Sequence, residues 1–279
     1  MSYKIVMDSC CELPDSMRKD ERLEWVPLTI EIDGHQIIDD ETFDQKDFLA
    51  RVAASPKAPI SSCPSPGRYQ EAYQTQADRV YVVTLSSKLS GSYNSAELGR
   101  KMYLEQNGEK NIFVIDSESA SAGQIQIVLK LMDLEKEGLS FEEVVDAIKK
   151  FRDEMYTLFV LDNLDTFIKS GRIAGAKALL VTTLNIKPIM GEEKGSIVKR
   201  GQSIGTKKAL RKMAEMMIEK MMTRKEAYRL VITHCNAYQR AVMVRDIIME
   251  KCTFIETLIM DTTGISSMYA NDGGVIVTV

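Results

Sequence analysis

Hydrophobic residues in this chain form short β-branched runs that alternate with segments of helical period from one end to the other. This alternation is typical of βαβ units, in which helices connect the strands and pack on the faces of a sheet. Strands are predicted at 4–8, 25–32, 79–85, 111–116, 158–161, 186–190, 196–199, 229–235, 254–261 and 274–279. The pattern therefore predicts an α/β fold with mostly parallel sheets.

Helices between these runs carry recognisable start signals. Ser140 and Glu143 are spaced as a capping box, and the apolar residues at 144, 147, 148 and 151 share one helix face. Ser203 and Asn236 each precede a further helical segment. In the first of these segments an apolar stripe is predicted to be core rather than a lipid or partner surface, and it comprises Leu210, Met213, Met217 and Met221.

Two segments show turn or loop signals instead. Asp33-Gly34 separates two short apolar runs and predicts a two-residue hairpin, hence one antiparallel edge. Residues 55–67 contain four prolines and four serines and are predicted to form a long irregular loop. Near its end, Ser65 and Pro66 are the residue types preferred at an N-cap and at the first helical position.

Each half of the chain carries its own series of strands and helices. One helix ends near 153 and a new series begins at 158, so we expect two α/β domains, at 1–153 and 154–279. Each half is long enough to bury a separate core.

Composition and charge narrow the classes of function. The 279 residues are 44% hydrophobic and 27% charged with a net charge of −4, and basic residues are interleaved with acidic ones. We therefore expect a soluble globular protein without a nucleic-acid partner. Five cysteines without a C-x-x-C pair favour a reducing compartment over disulfides or zinc. No leader pattern opens the chain and no apolar stretch approaches about 18 residues, so we expect a cytoplasmic location.

Polar residues follow three predicted strands of the first half, as Asp8-Ser9, Ser86-Ser87 and Asp116-Ser117. Such residues commonly cap helices and start turns. However, the carboxyl ends of parallel strands line the ligand crevice of an open sheet. Three such ends together therefore favour a binding site at this edge.

The segment from Ser86 to Tyr93 leads from a strand through a Ser/Gly turn into a helix. Free N–H groups at a helix start, together with small hydroxyls, favour an anion. The segment lacks both the P-loop pattern and the G-x-G-x-x-G of dinucleotide folds. We therefore expect an anion smaller than a nucleotide pyrophosphate.

Five short motifs carry a more specific signal through their order and spacing, and they are Asp8-Ser-Cys-Cys-Glu-Leu-Pro14, Ser61-Ser-Cys-Pro-Ser-Pro66, Leu85-Ser-Ser-Lys-Leu-Ser-Gly-Ser-Tyr93, Asp116-Ser117 and Ser170-Gly-Arg-Ile173. In this arrangement the chain resembles the DegV family of bacterial fatty-acid-binding proteins. The resemblance extends from residue 5 to about 275.

The resemblance implies a carrier function. Members of the family bind one long-chain fatty acid in a tunnel between two α/β domains and present its carboxylate to a separate ATP-dependent fatty acid kinase. The acyl phosphate product then feeds phospholipid synthesis. This implies a protein without catalytic groups, metal or cofactor beyond the bound acid, and it is compatible with transient membrane contact.

The family's carboxylate contacts correspond to Ser61 with Ser62, to the turn Ser90-Gly91-Ser92, and to Arg200. Within the turn, Ser90 matches the head-group serine best and Ser92 is the second choice. Hydroxyls and one guanidinium are suited to a carboxylate, because charge-assisted hydrogen bonds contribute about 1.5–3 kcal/mol each.

The C-terminal motif departs from the family pattern. Relatives commonly carry a histidine that helps to bind the head group, and the matching position in segment 264–274 is Tyr269. Tyrosine donates a hydrogen bond but brings no positive charge near neutral pH. The difference bears on head-group affinity and kinase coupling, and it equally fits a branch with another ligand. His35 is predicted in the hairpin turn, and His234 ends a buried strand.

Three alternatives remain open. A serine hydrolase or acyltransferase using Ser87 or Ser90 needs a base, and the chain has no G-x-S-x-G elbow and two histidines. A sugar-binding subunit like those of dihydroxyacetone kinases needs a histidine to attach its substrate. A regulatory or interaction protein with bound lipid needs the same tunnel as a carrier.

Overall fold

A computed structural model describes residues 2–173, 185–224 and 228–279, and the fold below concerns these residues. The strands are β1 Tyr3–Asp8, β2 Leu23–Val26, β3 Thr29–Ile32, β4 His35–Ile38, β5 Ile60–Ser62, β6 Arg79–Thr84, β7 Asn111–Asp116, β8 Thr157–Val160, β9 Ile186–Glu193, β10 Ser196–Ile204, β11 Arg229–His234, β12 Glu256–Asp261 and β13 Val275–Thr278. The helices are α1 Gln45–Ala54, α2 Pro66–Ala72, α3 Ser92–Asn107, α4 Ala122–Lys136, α5 Phe141–Glu154, α6 Asp165–Lys169, α7 Thr206–Met222, α8 Tyr238–Met249 and α9 Gly264–Ala270, with a 3₁₀ turn at Asp15–Met17.

The first sheet has the order β2-β1-β6-β7, and all of its strands are parallel, as predicted. Alternate residues of each strand point to opposite faces. On β6, Val80 and Val82 pack with Tyr69 and Ala96 of α2 and α3. Tyr81 and Val83 belong to the cluster formed with α4 and α5. Helices thus cover both faces, which explains why the strands are continuous hydrophobic runs.

The second sheet has the order β10-β9-β8-β13-β11-β12. Here the prediction of mostly parallel strands is wrong, because β11 and β12 are parallel whereas the other neighbouring pairs are antiparallel. One cause is local, since Lys194-Gly195 joins β9 to β10 as a two-residue hairpin, which requires antiparallel strands. The other is topological, because the last strand inserts between β8 and β11.

Helix α4 packs between the two larger sheets. It contacts β6 on one side and β11 and β13 on the other, and most of its residues are buried. The Gln126 side-chain amide donates to the carbonyl oxygens of Arg229 at 2.9 Å and Thr278 at 3.1 Å. The expected boundary at 153 falls near the end of α5, between the strands of the two sheets, and stays a prediction.

A third, antiparallel sheet has the order β4-β3-β5. The predicted Asp33-Gly34 hairpin is confirmed, with positive φ angles of 50° and 82° at its two residues. The prediction of an irregular loop at 55–67 is wrong for β5, where Ser61 pairs with Ile30. The ladder hydrogen bonds of β5 come from a partner strand about thirty positions away in the chain. The composition of residues 55–67 alone therefore did not indicate a strand.

Some helices and strands begin or end where the local sequence predicts, and the ends of others are set by tertiary packing. The Ser140 capping box and the Ser65 N-cap are confirmed. The predicted strand at 25–32 divides at Pro27, which cannot donate a ladder hydrogen bond. Ser203 lies in β10 rather than at a helix start, and the N-cap of α8 is Ala237 rather than Asn236. The predicted stripe on α7 is core, as its four residues are buried.

Among the described residues, no helix is both long and apolar enough to cross a membrane.

Candidate ligand-binding site

A cavity of about 340 Å³ lies where the three sheets meet. This volume is within the range of about 300–1,000 Å³ that small-molecule sites occupy. Most of its wall is apolar and comes from Leu28, Leu85, Leu89, Ala120, Phe159, Leu161, Phe167, Ile197, Ile265, Ala270 and Ile276. The cavity therefore offers an extended hydrocarbon a water-excluding environment.

Polar residues converge on one part of this wall. Ser61 and Ser62 come from β5, Ser90 and Gly91 precede α3, and Tyr269 is on α9. The Tyr269 hydroxyl is 3.4 Å from the Ser61 hydroxyl. The structure thus brings together five of the seven residues that the sequence placed around a carboxylate.

The turn before α3 is held from two sides. The Ser86 hydroxyl donates to the Gly195 carbonyl at 2.7 Å, and the Ser90 N–H donates to the Ser86 carbonyl at 3.0 Å. A Cβ at Gly91 would lie 3.0 Å from the Cys63 Sγ, so glycine keeps the turn close to β5. The first-turn N–H groups of α3 and its positive dipole end add to the attraction for an anion at this position.

Ser92 does not line the cavity and instead lies behind Ser90. It is fully buried, and its N–H donates to the Ser90 Oγ at 3.2 Å. The two hydroxyls are 3.0 Å apart. Ser92 therefore orients Ser90.

Arg200 does not reach the cavity. It is on β10, an edge strand, and its guanidinium donates to the Glu192 carbonyl at 3.0 Å and lies 3.8 Å from the Glu193 carboxylate. The register of β10 is shifted between Lys199 and Gly201, next to this side chain. The structure thus separates Arg200 from the carboxylate contacts that the resemblance implied.

Arg172 lines the cavity instead. It follows Gly171, whose φ of 74° turns the chain sharply after α6. Its guanidinium donates to the carbonyl oxygens of Ser170 at 2.8 Å and Leu89 at 3.3 Å. In the sequence, Arg172 belongs to the motif Ser170-Gly-Arg-Ile173, for which no binding role is predicted. The glycine before it, at the end of a helix, was the available signal.

Helix α9, which carries Tyr269, is anchored at its first turn. The Asp39 carboxylate accepts hydrogen bonds from the N–H groups of Gly264 at 2.7 Å and Ile265 at 2.9 Å, and from the Ser9 hydroxyl at 2.8 Å. Burial raises the pKa of Asp39 to about 6. A Cβ at Gly264 would lie 2.5 Å from this carboxylate, so only glycine allows the approach.

The strand-end residues of the first sheet support the site from behind. The buried Asp8 carboxylate accepts from the Leu85 N–H at 2.7 Å and from the Gln124 amide at 2.9 Å. Burial raises its pKa to about 7. Asp116 similarly accepts from the Ser87 N–H at 3.1 Å. These carboxylates fix the turn from which Ser90 extends.

Acidic residues line another part of the cavity wall, namely Glu118 and Glu192. Burial, together with the negative charge of Glu118, raises the pKa of Glu192 to about 7. A ligand carboxylate is disfavoured beside these groups and favoured beside Arg172. The charges of the wall therefore orient an amphipathic anion.

The histidines and cysteines have other environments. The His234 Nδ1 lies 3.0 Å from an Asp261 carboxylate oxygen, and His35 begins β4. All five cysteines are free thiols, and the Cys10 Sγ is 3.2 Å from the Ser266 hydroxyl. In the ranges that the structure describes, no group of three or more His, Cys, Asp or Glu side chains is arranged to hold a metal ion.

Comparison with known proteins gives a consistent result. The family model described as "Uncharacterised protein, DegV family" matches residues 2–276. A DegV domain-containing protein of Streptococcus pyogenes serotype M1 is 36% identical, with 99% of this chain and 98% of the relative covered.

Two solved structures are similar over their full lengths. A DegV family protein of Ruminococcus gnavus with vaccenic acid is 46% identical with a TM-score of 0.96, and 100% of both chains is covered. The Streptococcus pneumoniae Fatty Acid Kinase (Fak) B3 protein loaded with linoleic acid is 32% identical with a TM-score of 0.87, covering 100% of this chain and 99% of that one. Because the family model and these relatives cover almost the full length of the chain, the chain belongs to the DegV family.

Proposed function

We propose that this protein binds one long-chain fatty acid and presents its carboxylate to a separate fatty acid kinase. The observation that carries the proposal is a single cavity in which an apolar wall meets Ser61, Ser90, Tyr269 and the Arg172 guanidinium. The acyl chain lies along the apolar wall, and the carboxylate accepts hydrogen bonds from the hydroxyls and the guanidinium.

The energetics divide between the two ends of the ligand. Burial of each CH₂ group contributes about 0.8 kcal/mol, so the chain supplies most of the affinity. Hydrogen bonds to the carboxylate contribute less in net terms, because the carboxylate gives up hydration to form them. Their role is to hold the head group in one orientation for a partner enzyme.

The proposed division of labour is supported by the relatives, one of which is named as a B protein of a fatty acid kinase. In the reaction, a carboxylate oxygen forms a bond to the γ-phosphorus of ATP and the bond from that phosphorus to ADP breaks. The kinase binds ATP and provides the catalytic groups, and this protein holds the fatty acid in position. The role places the protein in the cytoplasm, upstream of phospholipid synthesis.

Mass spectrometry of lipid extracted after native purification tests the binding step. We expect near-stoichiometric long-chain fatty acid, and we expect the delipidated protein to take it up again. A matched pair of variants sharpens the test, because Leu89→Asp places a charge in the apolar wall whereas Leu98→Asp changes an exposed leucine. If the wild-type protein contains no bound fatty acid and the delipidated protein takes none up, the proposal is overturned.

A reconstituted phosphorylation assay tests the presentation step. We expect a fatty acid kinase and ATP to convert the protein-bound acid to acyl phosphate, and to leave the free acid unchanged when this protein is omitted. Binding without kinase-dependent conversion would instead support a lipid-responsive regulatory protein.

A further inference from the structure

The wall of the ligand cavity leads from Tyr269 along aromatic rings to the first residue of β8. The ring centroids of Tyr269 and Phe167 are 4.7 Å apart, and those of Phe167 and Phe159 are 6.3 Å apart. Thr157 lies two residues before Phe159, on the same face of β8, and both line the cavity. The chain runs from the other end of β8 into α6, which carries Phe167, so Thr157 lies away from the head-group donors.

Thr157 is the middle member of a row of three buried hydroxyls. Its Oγ1 is 3.3 Å from the Ser119 Oγ and 3.1 Å from the Thr278 Oγ1. These two hydrogen bonds use two of the three hydroxyl protons, and the described residues offer no further acceptor to these side chains. Thr278 is fully buried and does not line the cavity, whereas Ser119 and Thr157 do. Because a donor enclosed without an acceptor is costly, Thr278 donates to Thr157, and the unused proton lies at the cavity wall.

Glu192 adds a carboxyl group beside this row. Strands β8 and β9 pair antiparallel with Leu158 opposite Gly191, so Thr157 and Glu192 are neighbours across the two strands. Glu192 also lines the cavity, and burial raises its pKa to about 7. Near neutral pH its carboxyl group therefore exists both as a donor and as an acceptor. We call Ser119, Thr157 and Glu192 the distal patch.

A plain hydrocarbon chain is a poor partner for the distal patch. Methylene and methyl groups form no hydrogen bonds, so they would bury the unused proton and the carboxyl group without a ligand partner. A second carboxylate would be repelled by Glu118 and Glu192, which both line this part of the cavity. A hydroxyl group is uncharged and both donates and accepts, so it fits the donor and the carboxyl group together.

We propose that the distal patch binds a hydroxyl group on the acyl chain, so that the preferred ligand is a long-chain hydroxy fatty acid. This inference rests on the proposed function, because the carboxylate of the same acid binds at Ser61, Tyr269 and Arg172. The hydroxyl is on the part of the chain remote from the carboxylate, since two aromatic rings separate the two groups of donors. A hydroxyl at another carbon meets the apolar wall and loses its hydration without replacement.

Calorimetry on the delipidated protein compares octadecanoic acid with hydroxyoctadecanoic acids that carry the hydroxyl at successive carbons. We expect isomers whose hydroxyl meets the apolar wall to bind about tenfold more weakly than octadecanoic acid. An isomer whose hydroxyl reaches the distal patch should bind about threefold to tenfold more tightly than octadecanoic acid.

Two variants assign this preference to the distal patch. Thr157→Val keeps a β-branched side chain and should abolish the preference while changing octadecanoic acid binding less than about twofold. Thr257→Val is its control, because Thr257 is a strand threonine that does not line the cavity. Glu192→Leu should also abolish the preference. Glu193→Leu is the control for this second variant, since Glu193 is the exposed neighbour on the opposite face of β9.

The outcomes separate the two proposals. If the wild type binds octadecanoic acid and no hydroxylated isomer more tightly, or if both variants keep the preference, the distal patch has no hydroxyl site and the fatty acid function stands. If the wild type binds none of these acids, the proposed function itself fails. A preference for one region of the chain that Thr157→Val and Glu192→Leu remove, and that their controls keep, supports the inference.

Discussion

The Asp39 carboxylate accepts a 2.7 Å hydrogen bond from the backbone N–H of Gly264, a residue 225 positions away in the sequence. This bond ties the end of the β3–β4 hairpin to the first turn of α9. Because α9 also carries Tyr269, a contact outside the cavity positions one of the proposed head-group donors. The site therefore depends on the packing of the small sheet against the C-terminal helix.

Asp39→Ala should both destabilise the protein and weaken fatty acid binding. It leaves the N–H groups of Gly264 and Ile265 buried without an acceptor, which costs about 1–3 kcal/mol of unfolding free energy for each group. Urea denaturation and ligand titration measure the two effects. Asp40→Ala is the control, since that side chain accepts from Thr42 in an adjacent turn. Equal effects of the two variants would contradict the anchoring role.

Stability should fall as the pH rises from about 4 to about 8. Burial raises the pKa of Asp8 to about 7 and of Glu12 to about 8, from unfolded values of 3.8 and 4.5. Between these limits the folded state binds more protons than the unfolded state, so each unit of pH lowers the unfolding free energy. The stabilisation is complete below about pH 4 and is lost above about pH 8.

Urea denaturation at several pH values checks this slope. Glu12→Gln should flatten it, whereas Glu21→Gln, at an exposed position, should leave it unchanged. A stability that increases from pH 5.5 to pH 8 would show that the buried carboxyls are not the dominant titrating groups.

Tyr269→Phe should weaken fatty acid binding about twofold to tenfold, because it removes one hydroxyl donor worth about 0.5–1.5 kcal/mol. The ring would keep its contact with Phe167, at 4.7 Å between centroids, so the stability of the ligand-free protein should change little. Tyr238→Phe removes an exposed hydroxyl as the control.

Tyr269→His gives a further test at the same position. Its imidazolium would pair with the ligand carboxylate below about pH 6.5, so affinity should rise on acidification more than in the wild type. An identical pH dependence in both proteins would place residue 269 away from the head group.

Ser90→Ala and Ser92→Ala should separate binding from stability. Ser90 lines the cavity, so its loss should mainly reduce ligand affinity, by about twofold to tenfold. Ser92 is buried behind it, so its loss should mainly reduce the unfolding free energy, by about 1 kcal/mol. Titration and denaturation of both variants check this, and the reverse order would make Ser92 the ligand contact.

Arg172→Ala should reduce fatty acid affinity more strongly than Arg200→Ala. Arg172 lines the cavity, whereas Arg200 is not part of its lining and its guanidinium donates to the Glu192 carbonyl. We expect about a tenfold loss for Arg172→Ala, since it removes a charge-assisted bond, and less than about a twofold change for Arg200→Ala. A larger effect of Arg200→Ala would restore the contact that the family resemblance implied.

The local elements and the chemistry of the turn that carries Ser90 could be predicted from the sequence alone. Hydrophobic periodicity located the strands of both larger sheets, because burial against helices imposes it residue by residue. The Ser140 capping box and the Ser65 N-cap were predictable because both are hydrogen bonds between close neighbours. The motif around Ser90 was likewise visible as a strand, a turn and a helix start.

Which distant residues meet is set by the folding of the whole chain. The antiparallel order of the second sheet, the pairing of β5 with β3 and the place of Arg172 in the cavity result from contacts between remote segments. Periodicity records that a strand is buried but not which neighbour it has or in which direction that neighbour runs. The same limit explains Arg200, whose sequence context resembles a ligand contact although the register of an edge strand holds it outside the cavity.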